Sequence, residues 1–156
     1  MGCHTPFVVQ EAGTTYEGVL LHDDLVVRCG RCPYCKKVRV AIWSHRMEEE
    51  DKVSSSSHFV TLTYAPGFAV KTKNGLLTLR RAHLRDFMKR LRNHQIETGK
   101  MRELEEIPKL RYYACGEYGS RRKRPHYHLI LFNVIDENDI VLAWSEFDRK
   151  KEIYKS

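Results

Sequence analysis

The chain has 156 residues, with 27 Lys and Arg against 20 Asp and Glu and a formal charge of +7. That length suits one domain with a core of useful size, and the positive balance favours an anionic partner, nucleic acid first. No apolar stretch approaches the ~20 residues of a membrane span, and no basic-then-apolar leader opens the chain, so a cytoplasmic protein without a membrane partner is expected.

Residues 1–28 read as irregular, with short strands at Phe7-Val8-Val9 and Leu25-Val26-Val27. Cys29-x-x-Cys32-x-x-Cys35 then brings three of the five cysteines together. In a reducing compartment such spacing points to metal rather than disulfides. A closed structural zinc site takes four ligands. Cys3 is the expected fourth, with His4 or His22 as substitutes. Free thiols and an iron–sulfur cluster are the competing readings. Cys115 reads as a buried core residue.

A helix is expected from Pro33, because proline suits the first helical turn. It would carry Val38, Ile42 and Met47 toward a core and run into Glu48-Glu49-Glu50-Asp51. A serine loop, Ser54 to Ser57, leads to Phe59-Val-Thr-Leu-Thr-Tyr64, whose alternation and β-formers predict a strand ended by Pro66-Gly67. A second helix is predicted over about 80–97, capped by Thr78 and stopped by Gly99. Leu84, Phe87, Met88 and Leu91 give it one apolar stripe. Arg80, Arg81, Arg85, Lys89, Arg90 and Arg92 crowd its remaining surface, read either as a solvated exterior or as a DNA-contacting face. Glu103 to Glu106 follows as loop or short helix. Leu110 to Glu117 and Pro125 to Phe132 read as strands around a basic turn. A last helix is expected at about 136–147, using Ile140, Val141 and Trp144.

The most informative residues lie in the second of those strands. Side chains alternate along a strand, so His126 and His128 share one face while Tyr127, Leu129 and Leu131 take the other. The hairpin folds Glu117 back to lie opposite either His126 or His128; the sequence leaves that register open. Two imidazoles and a carboxylate leave coordination positions for water or phosphate, which suits Mn²⁺ or Mg²⁺. A non-haem iron oxygenase uses the same ligand set. It gives no reason for Arg121-Arg122-Lys123-Arg124 beside the site, whereas a phosphodiester substrate does.

Arg124-Pro-His-Tyr-His-Leu-Ile-Leu-Phe132, preceded by Tyr113-Ala-Cys-Gly-Glu-Tyr-Gly119, resembles the HUH endonucleases. It is more closely similar to replication initiators of gokushovirus-type microviruses, phages with single-stranded DNA. Phe59 to Tyr64 resembles their first motif, Cys29 to Cys35 with Arg39 and Trp43 their cysteine segment, and His83 to Arg92 their central helix. The likeness covers residues 1–134. It implies an α+β fold: an antiparallel sheet with both histidines on a central strand, flanked by helices. The zinc-binding cysteine segment at the amino terminus adds to that fold.

The resemblance also implies rolling-circle replication. A tyrosine attacks an origin phosphate, forms a 5′-phosphotyrosine link and leaves a 3′-hydroxyl for the host replication machinery. Glu117, His126 and His128 would hold the divalent metal, in the cytoplasm of a bacterial host. The family nucleophile lies on a later helix in a Tyr-x-x-Lys-like motif. Tyr154, the only tyrosine after the histidines, lacks that pattern, so the nucleophile is expected beyond residue 156 and the chain is read as an amino-terminal fragment, or as a divergent protein. Residues 1–57 are expected to form the cysteine segment and first helix, packed on a nicking domain of residues 58–156 as a single structural unit. The alternative is a catalytically incomplete module that binds origin or single-stranded DNA.

Overall fold

The computed structural model describes residues 2–10, 14–16, 19–21, 24–145, 147–148 and 153–154. The chain divides into two compact units, residues 1–49 and 50–156.

In the first unit, β1 (Phe7–Gln10) pairs antiparallel with β4 (Asp24–Val27), enclosing the shorter pair β2 (Thr14–Tyr16) and β3 (Val19–Leu21). Two of these four strands were expected; the segment is more ordered than the irregular reading allowed. Helix α1 (Pro33–Val53) begins at the proline, as its locked φ favours. Of the three residues expected to face a core, Val38 and Met47 are half-buried and Ile42 is not. Ile42 is 48% exposed, and Val40 and Trp43 are also exposed. Val40, Ala41, Ile42 and Trp43 are consecutive, so they spread around the helix, and only Val38, Ala41 and Ile42 share the three- and four-residue spacing of one face.

The second unit is built on a three-stranded sheet ordered β5 (Ser57–Thr63), β9 (Pro125–Phe132), β8 (Arg111–Tyr118), all antiparallel. A two-residue ribbon, β6 (Val70–Lys71) with β7 (Leu77–Thr78), precedes helix α2 (Arg81–Met101). Helix α3 (Glu137–Trp144) follows the sheet, and β10 (Phe147–Asp148) pairs with β11 (Ile153–Tyr154). The architecture is α+β, with the histidines on the central strand.

One face of β9 makes the core. Tyr127, Leu129 and Leu131 are buried there against Phe87, Met88 and Leu91 of α2. Gln95 holds the far end together, its amide donating to the carbonyls of Pro108 (2.7 Å) and Asn133 (2.9 Å). Asp136 caps α3, accepting from the Asn138 N–H at 2.9 Å. Val141 is 64% exposed rather than packed; Ile140 and Ala143 carry the α3 contact instead.

Two expected helix boundaries fail for identifiable reasons. Thr78 does not cap α2: it belongs to β7, and Arg80 occupies the N-cap position without a side-chain cap. Gly99 does not end the helix. It is buried within α2, where an added Cβ would lie 2.8 Å from Ile107 Cγ1, so its missing side chain serves packing.

Candidate metal centre

The β8–β9 register settles the pairing the sequence left open. Glu117 lies directly opposite His126, and Cys115 opposite His128. On the other side, β5 places Thr63 beside His126 and Thr61 beside His128. Residues opposite each other project to the same face. The open face therefore carries successive rows: Thr63, His126 and Glu117; then Thr61, His128 and Cys115; then Phe59, Ile130 and Tyr113.

The Glu117, His126 and His128 donor atoms lie within 4.8 Å of one another. Glu117 Oε2 is 3.3 Å from His128 Nε2 and 4.0 Å from His126 Nε2. Each imidazole is oriented from behind. His126 Nδ1 is 3.1 Å from the Arg124 carbonyl, which only accepts, so that nitrogen donates and Nε2 is the atom left on the Glu117 side. His128 Nδ1 meets the Thr61 hydroxyl at 3.0 Å. The Phe59 ring stacks on His128, with centroids 5.6 Å apart and planes 16° from parallel. Nε2 atoms aimed at one point by bonds to Nδ1 are the arrangement of metal-ligating histidines. Donors bound to one ion at ~2.1 Å lie ~3–3.4 Å apart; the Glu117–His128 pair is at that spacing, and the Glu117–His126 pair would have to close by about half an ångström to hold a divalent cation.

Cys115 is exposed, not buried. It stands two residues before Glu117, so the strand's alternation puts it on the open face. Tyr64 is buried on the core side. Its hydroxyl contacts His83 Nδ1 at 3.0 Å and the Tyr127 hydroxyl at 3.2 Å, and burial raises its pKa. Tyr118 projects away from the histidine row. The Thr78 hydroxyl and the Leu79 N–H bond its oxygen and lower its pKa. Tyr154 pairs through its backbone with Phe147. Its side chain lies outside the described residues, as does His22.

The turn residues Arg121, Arg122, Lys123 and Arg124 are exposed. They do not act alike: the Arg124 guanidinium donates to the Tyr64 carbonyl at 2.6 Å, tying the turn to the end of β5. Lys123 adopts a positive φ of 50°, and its N–H closes the turn on the Gly119 carbonyl at 3.0 Å.

In the first unit, the sulfurs of Cys3, Cys29, Cys32 and Cys35 lie within 4.8 Å of one another and form no disulfide. Cys29 and Cys35 are 3.9 Å apart, Cys3 and Cys32 4.0 Å. A tetrahedron of sulfurs 2.3 Å from zinc has edges of ~3.8 Å. The Cys29 N–H donates to Cys3 Sγ and the Cys32 N–H to Cys29 Sγ. Hydrogen bonds, the Thr5 side chain's foremost, lower Cys29 to about 5, and bonds from the His4 and Cys35 backbone lower Cys32. Burial pushes Cys35 up to about 12. His4 is exposed and outside the cluster.

A family model described as replication-associated protein ORF2/G2P matches residues 57–155, which include all three strands of the central sheet. The chain belongs to the replication-associated protein ORF2/G2P family. It is similar to the replication-associated protein ORF2 of Spiroplasma virus 4, with 34% identity over 110 residues, 69% of this chain and 32% of that one. It is also similar to the replication-associated protein VP4 of Bdellovibrio phage phiMH2K, with 30% identity over 105 residues, 67% of this chain and 31% of that one. The chain thus spans about a third of the length of these relatives. No solved structure matches it. Among the described residues of this ORF2/G2P family member, no helix is long and apolar enough to cross a membrane.

Sequence reasoning missed Thr61 and Phe59 as neighbours of the site. Both belong to a strand predicted correctly, but its pairing with β9 joins residues 67 positions apart, which no local pattern announces.

Proposed function

We propose that this chain carries the phosphodiester-cleaving centre of a rolling-circle replication initiator of the HUH type, akin to those of gokushoviruses. It would act in the cytoplasm of a bacterial host on single-stranded origin DNA and hand a 3′-hydroxyl to the host replication machinery. The observation that carries the reading is the convergence of His126 Nε2, His128 Nε2 and Glu117 on one exposed point, with both Nδ1 atoms engaged behind. A bound Mn²⁺ or Mg²⁺ there supplies Lewis-acid stabilisation of charge developing on phosphate oxygens. Arg121, Arg122 and Lys123 hold the phosphate backbone. A tyrosine oxygen forms the new bond to phosphorus as the bond to the 3′ oxygen breaks. The phenol proton is lost, the departing oxygen gains one, and the products are a 5′-phosphotyrosine link and a 3′-hydroxyl. Tyr154 is the candidate attacking group within this chain, and a tyrosine carried beyond residue 156 of a longer protein is the other.

The test is to incubate the chain, and longer versions of it, with origin oligonucleotides and Mn²⁺ and look for a covalent adduct. An adduct lost in His128→Ala is the expected result. If every version retaining the two histidines binds DNA without an adduct, the chain is an origin- or single-strand-binding module instead.

For the four cysteines we propose a structural zinc site. The sulfur separations and the backbone N–H bonds to sulfur support it. Metal analysis of the purified chain should return one zinc per molecule, lost in Cys32→Ser with loss of ordered structure in residues 1–49. Iron, or no metal with an unchanged fold, would remove the assignment.

A further inference from the structure

Phe59 is 72% exposed on the open face of the sheet, where it contributes little to the core. Its strand, β5, is at the sheet's edge. One side of the ring lies against the His128 imidazole, nearly parallel at 16°. The flat π-surface thus extends the row next to the metal-type cluster, with Ile130 and Tyr113 directly across. Two residues along a strand span ~6.8 Å. Following β9 outward from the basic turn, one meets the Glu117 and His126 row, then His128, then Phe59.

We propose that Phe59 is a stacking platform for a nucleobase of single-stranded DNA. It would seat the nucleotide next to the one whose phosphate meets Glu117, His126 and His128. This rests on the reading of that cluster as a phosphodiester site. An unpaired strand offers π-faces that a duplex keeps stacked, so an open aromatic ring beside the cluster favours single strands without selecting a sequence. Charge agrees with the occupant: the exposed Arg121, Arg122 and Lys123 lie in the turn that ends this hairpin, and the whole chain carries +7. A second copy of the chain remains an outcome for the test to reject.

The test is fluorescence anisotropy with two labelled ligands in Mn²⁺: a mixed-sequence single-stranded oligonucleotide, and an abasic deoxyribose-phosphate strand of equal length. The intact chain should bind the first more tightly than the second. Phe59→Ala should bind the base-bearing strand about tenfold more weakly and the abasic strand equally well. Phe59→Trp should restore affinity and Phe59→Leu should not, which separates stacking from mere apolar contact. Because the Phe59 ring touches His128, an effect transmitted through the metal would weaken both strands alike, and the abasic strand reports it. Equal losses on both strands, no loss on either, or rescue by leucine would each overturn the proposal. So would a dimer of the parent that Phe59→Ala dissociates without changing DNA affinity. If the parent binds neither strand, the phosphodiester reading itself fails, a result distinct from an unaffected Phe59→Ala.

Discussion

The hydroxyl of Thr61 offers the sharpest probe of the cluster, because it can be removed with little disturbance to the strand. His126 is oriented by a backbone carbonyl that no substitution removes. His128 is oriented by Thr61 at 3.0 Å, and Thr61 is exposed. Thr61→Val keeps the branched shape that suits a strand and deletes only the oxygen. Loss of a partner behind a metal-ligating histidine costs about 10- to 100-fold in metal affinity, or about 1.4–2.7 kcal/mol. Water can reach this exposed position and take over part of the bond, so the lower end applies: a loss of about tenfold. Thr61→Ser retains the hydroxyl and should bind as the parent does. Calorimetric titration with Mn²⁺ measures all three proteins. If Thr61→Val matches the parent while His128→Ala abolishes binding, the hydroxyl does not orient the ligand. If His128→Ala also binds normally, Mn²⁺ is held elsewhere and the assignment of the cluster fails.

Replacing Arg121, Arg122 and Lys123 together by alanine should lower the slope of log affinity for single-stranded DNA against log salt by about 2, from ~0.7 per phosphate contact; an unchanged slope would place the contacts elsewhere. Arg124→Ala should leave that slope nearly intact and lower the melting temperature instead, through loss of its bond to the Tyr64 carbonyl. Leu91→Ala, at a fully buried position beneath the sheet, should cost about 2–5 kcal/mol in urea unfolding, and a loss below 1 kcal/mol would mean α2 does not pack as described. His83 has its pKa lowered by burial first and by Arg80 next. The unfolded chain therefore takes up this proton first as pH falls below about 6.5, and stability drops as pH falls toward the folded-state value. His83→Gln should flatten that part of the stability–pH curve, and an unchanged curve would assign the acid sensitivity to other groups.

How much was legible in the sequence varies by residue and has physical causes. The shared face of His126 and His128 follows from the period of a strand, and the hairpin brings Glu117 to them. The same period also places Cys115 on the open face, so its exposure was readable once Glu117 had been assigned there. Thr61 and Phe59 were not readable as neighbours, because pairing between β5 and β9 is long-range. Gly99 reads as a helix stop by its backbone entropy, yet tertiary packing of Ile107 against it outweighs that preference. Thr78 reads as a cap by residue type, but the ribbon it forms with Val70 ends just before α2 begins. The run from Val40 to Trp43 is apolar at four consecutive positions and so marks no single face, which left the helix readable and its buried side not.

The core and the site are two consequences of one register. Tyr127, Leu129 and Leu131 are 4%, 1% and 0% exposed, while His126 and His128 between them face outward. Sliding β9 by one residue would turn the histidines into the core and the three apolar side chains into water. Each apolar side chain contributes about 1.5–3 kcal/mol by burial, so the slip would forfeit about 5–9 kcal/mol before the cost of burying two imidazoles. That is comparable to the whole stability of a small domain. The alignment of Glu117 with His126 therefore needs no attraction among the ligands themselves. It is held by the opposite face of the sheet, which leaves Glu117 and both imidazoles on the open face, where the proposed cation and phosphate would be met without unfolding anything.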